Sequence, residues 1–595
     1  MIRGRGLRLG AALFVFGLAL GLRLTGLGWD EGSLGHPDER FLTLVASRID
    51  YPGSIGEYLD TAASPANPVN RGHTFFVYGT LPILVTRMIA DALGEGGFWH
   101  LYLVGRGLSA LLDALVVVMS FALARRLHSE EAGLVAASLV ATAVIHVQHA
   151  HFFVVDPWLT AAATAAVLAL TAVAAGGRSA APVAGLAVGL AVACKLSGAV
   201  LIAPAAGAFL VAWLDRDRRL AVVVDALLFA VVAAVVVRIT HPYAFAAGSL
   251  ATPDPQLVSS LERLRASATS FDYPPAIQWY GIPRTHGIVQ VALWGTGLLP
   301  AIAGLAGVAL GVVRVWKGRW STAFPALVWV LVGVIATALQ PVQPLRYLLP
   351  LCPALLVFAG IALVELGRTV ERRATGRRWL AWLPLAATVL VSLVWSLAFV
   401  RIYQTPHVRA EATRWILAHA AAGETIAVET WDEPIPGLVA GREPSIAPSI
   451  QLPVFAANGP ATRGQMIARL DRSDWLVIAS QRGWGAIPRV PARFPETLRY
   501  YRALLSGELG FEPVRVFRDL PGVGLWEVDT LAADESFSVY DHPTVIVFRK
   551  GRRWNPGRAA AIMSGLDDQR PLPDRRELAA LVRRLDDLHR AGSDG

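Results

Sequence analysis

The chain has 595 residues, 54% of them hydrophobic and only 17% charged, with a mean hydropathy of +0.48. That composition leaves too little polar surface for a soluble multidomain protein and is too apolar for a disordered one. The formal charge of +9, from 54 Lys and Arg against 45 Asp and Glu, reads in such a chain as cation-rich cytoplasmic loops, not as a nucleic-acid surface.

The N-terminus, MIRGRGLRLGAALFVFGLALGLRLTGLG, places basic residues before an apolar stretch. Similar stretches recur and no small-residue cleavage site stands out, so residues 7–27 read as a first membrane helix, not a signal peptide. Further segments of about the length a bilayer demands fall near 104–124, 132–148, 157–175, 181–198, 199–214, 220–239, 287–313, 321–340, 346–366 and 379–400. These predict eleven spanning helices.

Residues 75–93 are long enough to cross but contain Pro82, Arg87 and Asp91, and each mid-bilayer charge costs roughly 2.5–3.5 kcal/mol. Charge asymmetry arbitrates. With this segment interfacial or re-entrant, the loops holding Arg125, Arg126, Arg178, Arg216, Arg218, Arg219, Arg314, Lys317, Arg319, Arg368, Arg372, Arg373, Arg377 and Arg378 share the cytoplasmic side with the N-terminus. Two large loops, 28–103 and 241–286, are then external, as is everything beyond about residue 401. From there helical signals (410–419, 496–505) alternate with β-rich runs (425–430, 475–479, 513–517, 544–548). This pattern predicts an α/β domain over 401–550, with a charged helical tail over 551–595 that is solvated or docked on the surface. The expected fold class is an all-α polytopic membrane domain over 1–400 with this extracytoplasmic α/β domain appended. Cys194 and Cys352 are the only cysteines, too few for a disulfide framework or a cysteine zinc site.

Several external residues carry chemistry. GHPDERF sets Asp38 and Glu39 side by side, followed by Arg40. Adjacent carboxylates suit general-base work; equally, Pro37-Asp38-Glu39 is the start of a helix with acids in its first turn. Arg71 and His73 precede the interfacial segment and Tyr78 lies within it, placed either for a lipid phosphate or as an aromatic and cationic belt. IHVQHAHFFVVDPWLT gathers His146, His149, His151 and Asp156. These four could ligate a divalent metal, the one cofactor the residues leave open, or the histidines could satisfy hydrogen bonds and Asp156 cap a helix. Lys195, in ACKLSG, is a lysine in an apolar helix near its external end, a functional position or a snorkelling one. Arg346 and Tyr347 sit where an external loop enters a span, and FDYPPAIQWYG supplies Gln278 and Tyr280.

In this order and sidedness, HPDER, FFVYGTLP, GRGLSALLDALVVVMSFALARRLH, HFFVVDPWLT, ACKLSG and RYLLPLCP resemble the polytopic GT-C glycosyltransferases. The groups meant are the protein O-mannosyltransferases and the lipid A aminoarabinose transferase-like enzymes. The resemblance covers roughly residues 7–400. It implies a polyprenyl-phosphate sugar donor and a hydroxyl-bearing protein, lipid or glycan acceptor, at the external face of the cell membrane. It implies Asp38 as general base, Glu39 as an acceptor-positioning residue and Asp156 as the second external acid. Lys195 and Arg346 would hold the donor phosphate, and His73 would stand where relatives carry a cation. FFVYGTLP lacks the consecutive prolines common in the aminoarabinose group, so that group's substrate is not carried over. The chemistry implied is attack by an acceptor hydroxyl with inversion. One carboxylate takes the proton, and the phosphate leaving group needs positive charge instead of an acid. The alternative is a transporter or flippase of a lipid-linked saccharide, which predicts midplane sites and inverted repeats. No repeat is visible, and Asp113 is the main intramembrane acid.

Overall fold

The computed structural model describes residues 2–593 except 178, 374–375, 438, 440–447 and 569, and describes no side chain of residues 2–7 or 592–593. Arg178, one of the loop cations, therefore lies outside the described residues. The chain folds into two compact units. One comprises Met1–Leu27, His36–Leu264 and Arg284–Val400; the other comprises Gly28–Gly35, Arg265–Pro283 and Arg401–Gly595.

The first unit is helical throughout, and each of the eleven apolar segments falls in helix. Among the described residues, eight helices are long and apolar enough to cross a bilayer, or nine if the pair Glu130–Ala141 and Val144–Ala150, bent by 54°, is one span. Ala180–Cys194 is shorter, at 15 residues. The protein is thus a multi-pass membrane protein. The Arg219–Thr240 helix shows why hydropathy reads so clearly here. From Ala226 to Val237, between Asp225 and Arg238, its sequence is apolar on every face, and Leu227, Val231 and Val235 are all exposed, as a helix facing lipid requires. Elsewhere helices touch through small residues: a Cβ on Gly307 would stand 2.0 Å from the Phe358 carbonyl oxygen, so no side chain fits between the two helices.

Residues 75–93 do not form one long helix. Residues 74–78 carry no helix, and the helix proper is Leu81–Ala92, begun by Pro82 in its first turn. At 1.5 Å per residue its length is only about 18 Å, short of a bilayer core. Arg87 and Asp91 neutralise one another across one helical turn at 2.6 Å.

The second unit holds a five-stranded sheet. Its strands are β1 (Ile426–Glu429), β2 (Ser449–Leu452), β3 (Trp475–Ile478), β4 (Phe511–Phe517) and, after the short β5 (Gly522–Val523) and β6 (Trp526–Glu527) ribbon, β7 (Val545–Lys550), in the order β2-β1-β3-β7-β4. β1 runs parallel to β2 and β3, and β7 antiparallel to β3 and β4. The Arg575–Ser593 helix is no solvated tail: Leu578, Ala579, Val582 and Leu585 are buried in the same core as Leu476, Ile546 and Phe548 of the sheet.

Candidate functional site

The site begins with a helix start. His36 caps Pro37–Arg48: its Nδ1 accepts the Asp38 N–H at 3.2 Å, and Pro37 opens the first turn. Proline suits that position because its missing N–H would have had no helical partner. The two acids of this turn then part company. Asp38 stays about one-fifth exposed and meets Arg346, Nη1 to Oδ2, at 2.6 Å. Glu39 is fully buried and grips Arg106 with both oxygens, at 2.7 and 2.8 Å, while also accepting the Phe153 N–H at 2.7 Å.

Beside Asp38 lies a second ion pair. Asp156 opens the Val155–Ala174 helix, and its Oδ1 accepts from Lys195 Nζ at 2.9 Å. Lys195 ends the Ala180–Cys194 helix with an extended backbone, where the chain breaks before the Leu196–Leu201 turn. Its ammonium sits 4.8 Å from the centroid of the Tyr347 ring, a cation–π contact. The charges of Asp156 and Lys195 both act on the Asp38 carboxyl. Tyr78 completes the group by hydrogen-bonding to Asp38. It is aimed by its neighbour: Gly79 donates its N–H to the Cys194 carbonyl at 3.1 Å, and a Cβ on Gly79 would stand 1.8 Å from the Ala193 oxygen. Only glycine lets this segment lie so close to the break that carries Lys195.

The electrostatics follow from these contacts. Burial is the largest influence on the Asp38 carboxyl and would raise it; the Arg346 guanidinium, together with the smaller lowering charges around it, Lys195 among them, outweighs burial and holds the group below the usual carboxylate range. Burial pushes the His36 imidazole down to about 3, so His36 stays neutral and leaves that work to Arg346. Burial, and then the charge of Asp38, raises the Tyr78 hydroxyl well above its ordinary value, so Tyr78 keeps its proton and donates it. Two carboxylates and two cations thus form an electroneutral group with one ionised, partly open acid.

The family model for dolichyl-phosphate-mannose-protein mannosyltransferases matches residues 89–243, a stretch that includes Asp156 and Lys195. The crystal structure of the Archaeoglobus fulgidus oligosaccharyltransferase tethered with an acceptor peptide is similar with a TM-score of 0.52 at 13% identity, over 85% of this chain and 72% of that one. The chain has the GT-C glycosyltransferase fold. ArnT from Cupriavidus metallidurans in the apo state is similar over 93% of this chain and 99% of its own, with 16% identity and a TM-score of 0.44. No curated protein sequence matches the chain.

Within this GT-C fold several expected site residues take other roles. Glu39 is sealed in a salt bridge and cannot meet an acceptor. The metal reading of His146, His149, His151 and Asp156 also fails: among the described residues no group of three such side chains could hold an ion. Each histidine serves its own partner instead. His146 Nδ1 pairs with Asp113 at 2.7 Å, His149 Nδ1 with the Ile145 carbonyl at 2.8 Å, and His151 bridges the Val147 and Thr25 carbonyls. Asp113, the intramembrane acid, also holds Arg23 at 2.6 Å, and Arg23 caps the Val140 and Ala141 carbonyls at the 54° bend. Helix-to-helix bonding thus accounts for Asp113. His73 is buried against Phe41, and that burial lowers its pKa, so it does not supply a cation. Arg71 reaches the Pro65 carbonyl and, at 3.4 Å, Asp50; Arg40 lies half-buried one turn beyond His36. Gln278 and Tyr280 belong to the other compact unit, where Gln278 bonds the Pro275 carbonyl and Tyr280 packs edge-on against Phe271. The residue the sequence reading passed over is His36. Its signal was the His-Pro-Asp order of a helix start.

Proposed function

We propose that this protein is a membrane glycosyltransferase that moves a sugar from a polyprenyl-phosphate donor to an acceptor hydroxyl, with inversion and with Asp38 as general base. The observation that carries this reading is the Asp38–Arg346 pair standing beside Asp156–Lys195. It couples two carboxylates, one of them partly open, to two cations at the ends of apolar helices, and the mannosyltransferase family match supports a lipid-phosphate donor. Asp38 takes the proton as the hydroxyl attacks the anomeric carbon. The bond to the phosphate breaks, and Arg346 and Lys195 stabilise the departing phosphate; no acid is required because a phosphate leaves as a stable anion. A phosphate that reaches Arg346 competes with Asp38 for the guanidinium. Losing that partner makes Asp38 a stronger base when the donor is bound.

The N-terminus is placed in the cytoplasm and the α/β unit outside, a reading supported by the clustering of Arg and Lys in alternate loops. The test is direct. The full chain in nanodiscs is incubated with a radiolabelled polyprenyl-phosphate sugar and membrane acceptors. A transferase yields labelled acceptor and free polyprenyl phosphate; a transporter yields neither, and that outcome would overturn the proposal.

A further inference from the structure

The first unit contains a cavity of about 200 Å³ that the chemistry above does not use. Thr61, Asn67, Phe76, Thr80, His241 and Asp254 are among its lining residues. Two external loops far apart in sequence form it, and its walls are held by bonds to main chain. Thr61 Oγ1 donates to the Phe245 carbonyl at 2.7 Å, Asn67 Nδ2 to the Thr61 carbonyl at 2.8 Å, and Thr80 Oγ1 to the Thr240 carbonyl at 3.0 Å.

His241 gives the cavity its chemistry. The Thr80 N–H donates to its Nδ1 at 3.4 Å, which leaves the ring proton on Nε2. That nitrogen has no hydrogen-bond partner among the described residues, on a side chain only 2% exposed. Burial holds the imidazole down to about 4, so it is a neutral donor at physiological pH. Asp254 is the one carboxylate, and no Lys or Arg is among the described lining residues. A phosphate would meet a carboxylate and no cation here. A polyhydroxylated ring would meet neutral donors and acceptors and the Phe76 ring. At about seven water volumes of ~30 Å³, below the ~300–1,000 Å³ of pockets for drug-sized ligands, the space suits one sugar ring.

Its position ties it to the ion-pair cluster. Phe76 lines the cavity and lies 5.9 Å, centroid to centroid, from Tyr78, which bonds Asp38. Thr80 lines it too, one residue past the Gly79 contact that holds the Lys195 break. We infer that this cavity is a subsite for one uncharged sugar unit, linked to Asp38 through the chain segment 76–80, which lines the cavity at Phe76 and Thr80 and carries Tyr78. Its part in catalysis rests on the function proposed above; its affinity for a sugar does not.

The experiment uses the full chain in nanodiscs, with saturation-transfer NMR on methyl mannoside, glucoside, galactoside and arabinoside, and with inorganic phosphate as a separate probe. Ala62 and Ala247 are exposed on the cavity wall, so Ala62→Trp and Ala247→Trp fill it without disturbing a core. At least one glycoside is expected to bind, to lose at least tenfold in affinity in both variants, and to bind Asp38→Asn unchanged; phosphate should be indifferent to both tryptophans. Absence of glycoside binding, binding unaffected by either tryptophan, or a cavity that takes phosphate instead would overturn the inference. Donor binding by the tryptophan variants separates the two sources of the sugar: weakened if it is the donor's, unchanged if it is the acceptor's. If Asp38→Asn keeps full transferase activity, the proposed base fails while the subsite stands on its own binding data.

Discussion

Asp38 in the membrane unit and Glu429 in the C-terminal unit are both confined acids, and their surroundings push them in opposite directions. Asp38 is partly open and paired with Arg346, which keeps it ionised. Glu429 ends β1, is only 4% exposed, and has no hydrogen-bond partner for either oxygen among the described residues, although the Tyr501 hydroxyl stands near it. Burial, reinforced by Asp432, pushes it up to about 8. The difference teaches that confinement alone neutralises a carboxyl, and that a cation in contact reverses the outcome. Glu39 supplies the third case, wholly buried yet gripped by Arg106 at both oxygens.

The sharpest break in this comparison is Asp38→Asn, which keeps the shape and removes the carboxylate proposed as the base. Transfer should fall by about 10²–10⁴-fold with expression and melting midpoint unchanged; wild-type turnover would remove Asp38 from catalysis. Next is Glu39→Ala, which leaves Arg106 buried without its partner. Breaking a buried pair costs about 3–5 kcal/mol, so thermal unfolding in nanodiscs should shift strongly downward; an unchanged melting curve would show that the pair is not structural.

Glu429→Gln should act the other way. The folded-state pKa of about 8 lies above the ordinary 4.5, so the penalty on the native state is absent below pH 4.5 and grows until pH 8. The variant should therefore gain on the order of 1–3 kcal/mol at pH 8 and flatten the decline in stability across that window, read by tryptophan fluorescence in urea. A loss of stability at pH 8 would mean that the carboxyl has a partner that amide cannot replace.

The smallest expected effect is a displaced pH profile. The lowered pKa of Asp38 keeps its carboxylate ionised as pH falls, so the acid limb of kcat/KM should lie below the usual 3.8. Arg346→Gln removes the largest lowering charge and should move that limb upward, beyond any change in KM. In the wild type the limb of kcat should lie above that of kcat/KM, because donor phosphate draws Arg346 away; coincident limbs would rule out the competition.

Much of this was readable without coordinates, and the exceptions have a common cause. Helix positions were legible because hydropathy over about twenty residues is a local property that a bilayer enforces. That residues 75–93 do not make one spanning helix was legible from Pro82, Arg87 and Asp91; the two charges pair within one turn of the short helix Leu81–Ala92. The strand β2 was missed because SIQL is only four residues long and lies at the sheet edge, so its alternation holds just two apolar positions, too few to stand out from a loop. The tail helix could be read as solvated or docked because its sequence joins an apolar stripe to many charges; the packing of Leu578, Val582 and Leu585 against the sheet's core chooses the docked alternative.

The sequence by itself determined that this is a membrane chain, where its apolar segments run, which residue types gather outside them and where its α/β portion begins. Tertiary structure alone decided which acid does what. Asp38 and Glu39 are neighbours in one helical turn, yet the turn of that helix aims them at arginines 308 and 67 residues away. The three histidines look alike in sequence, but each is spent on a different carbonyl or carboxylate. A side chain's charge and role depend on what lies within a few ångströms of it, and in a folded chain those neighbours come from hundreds of residues away.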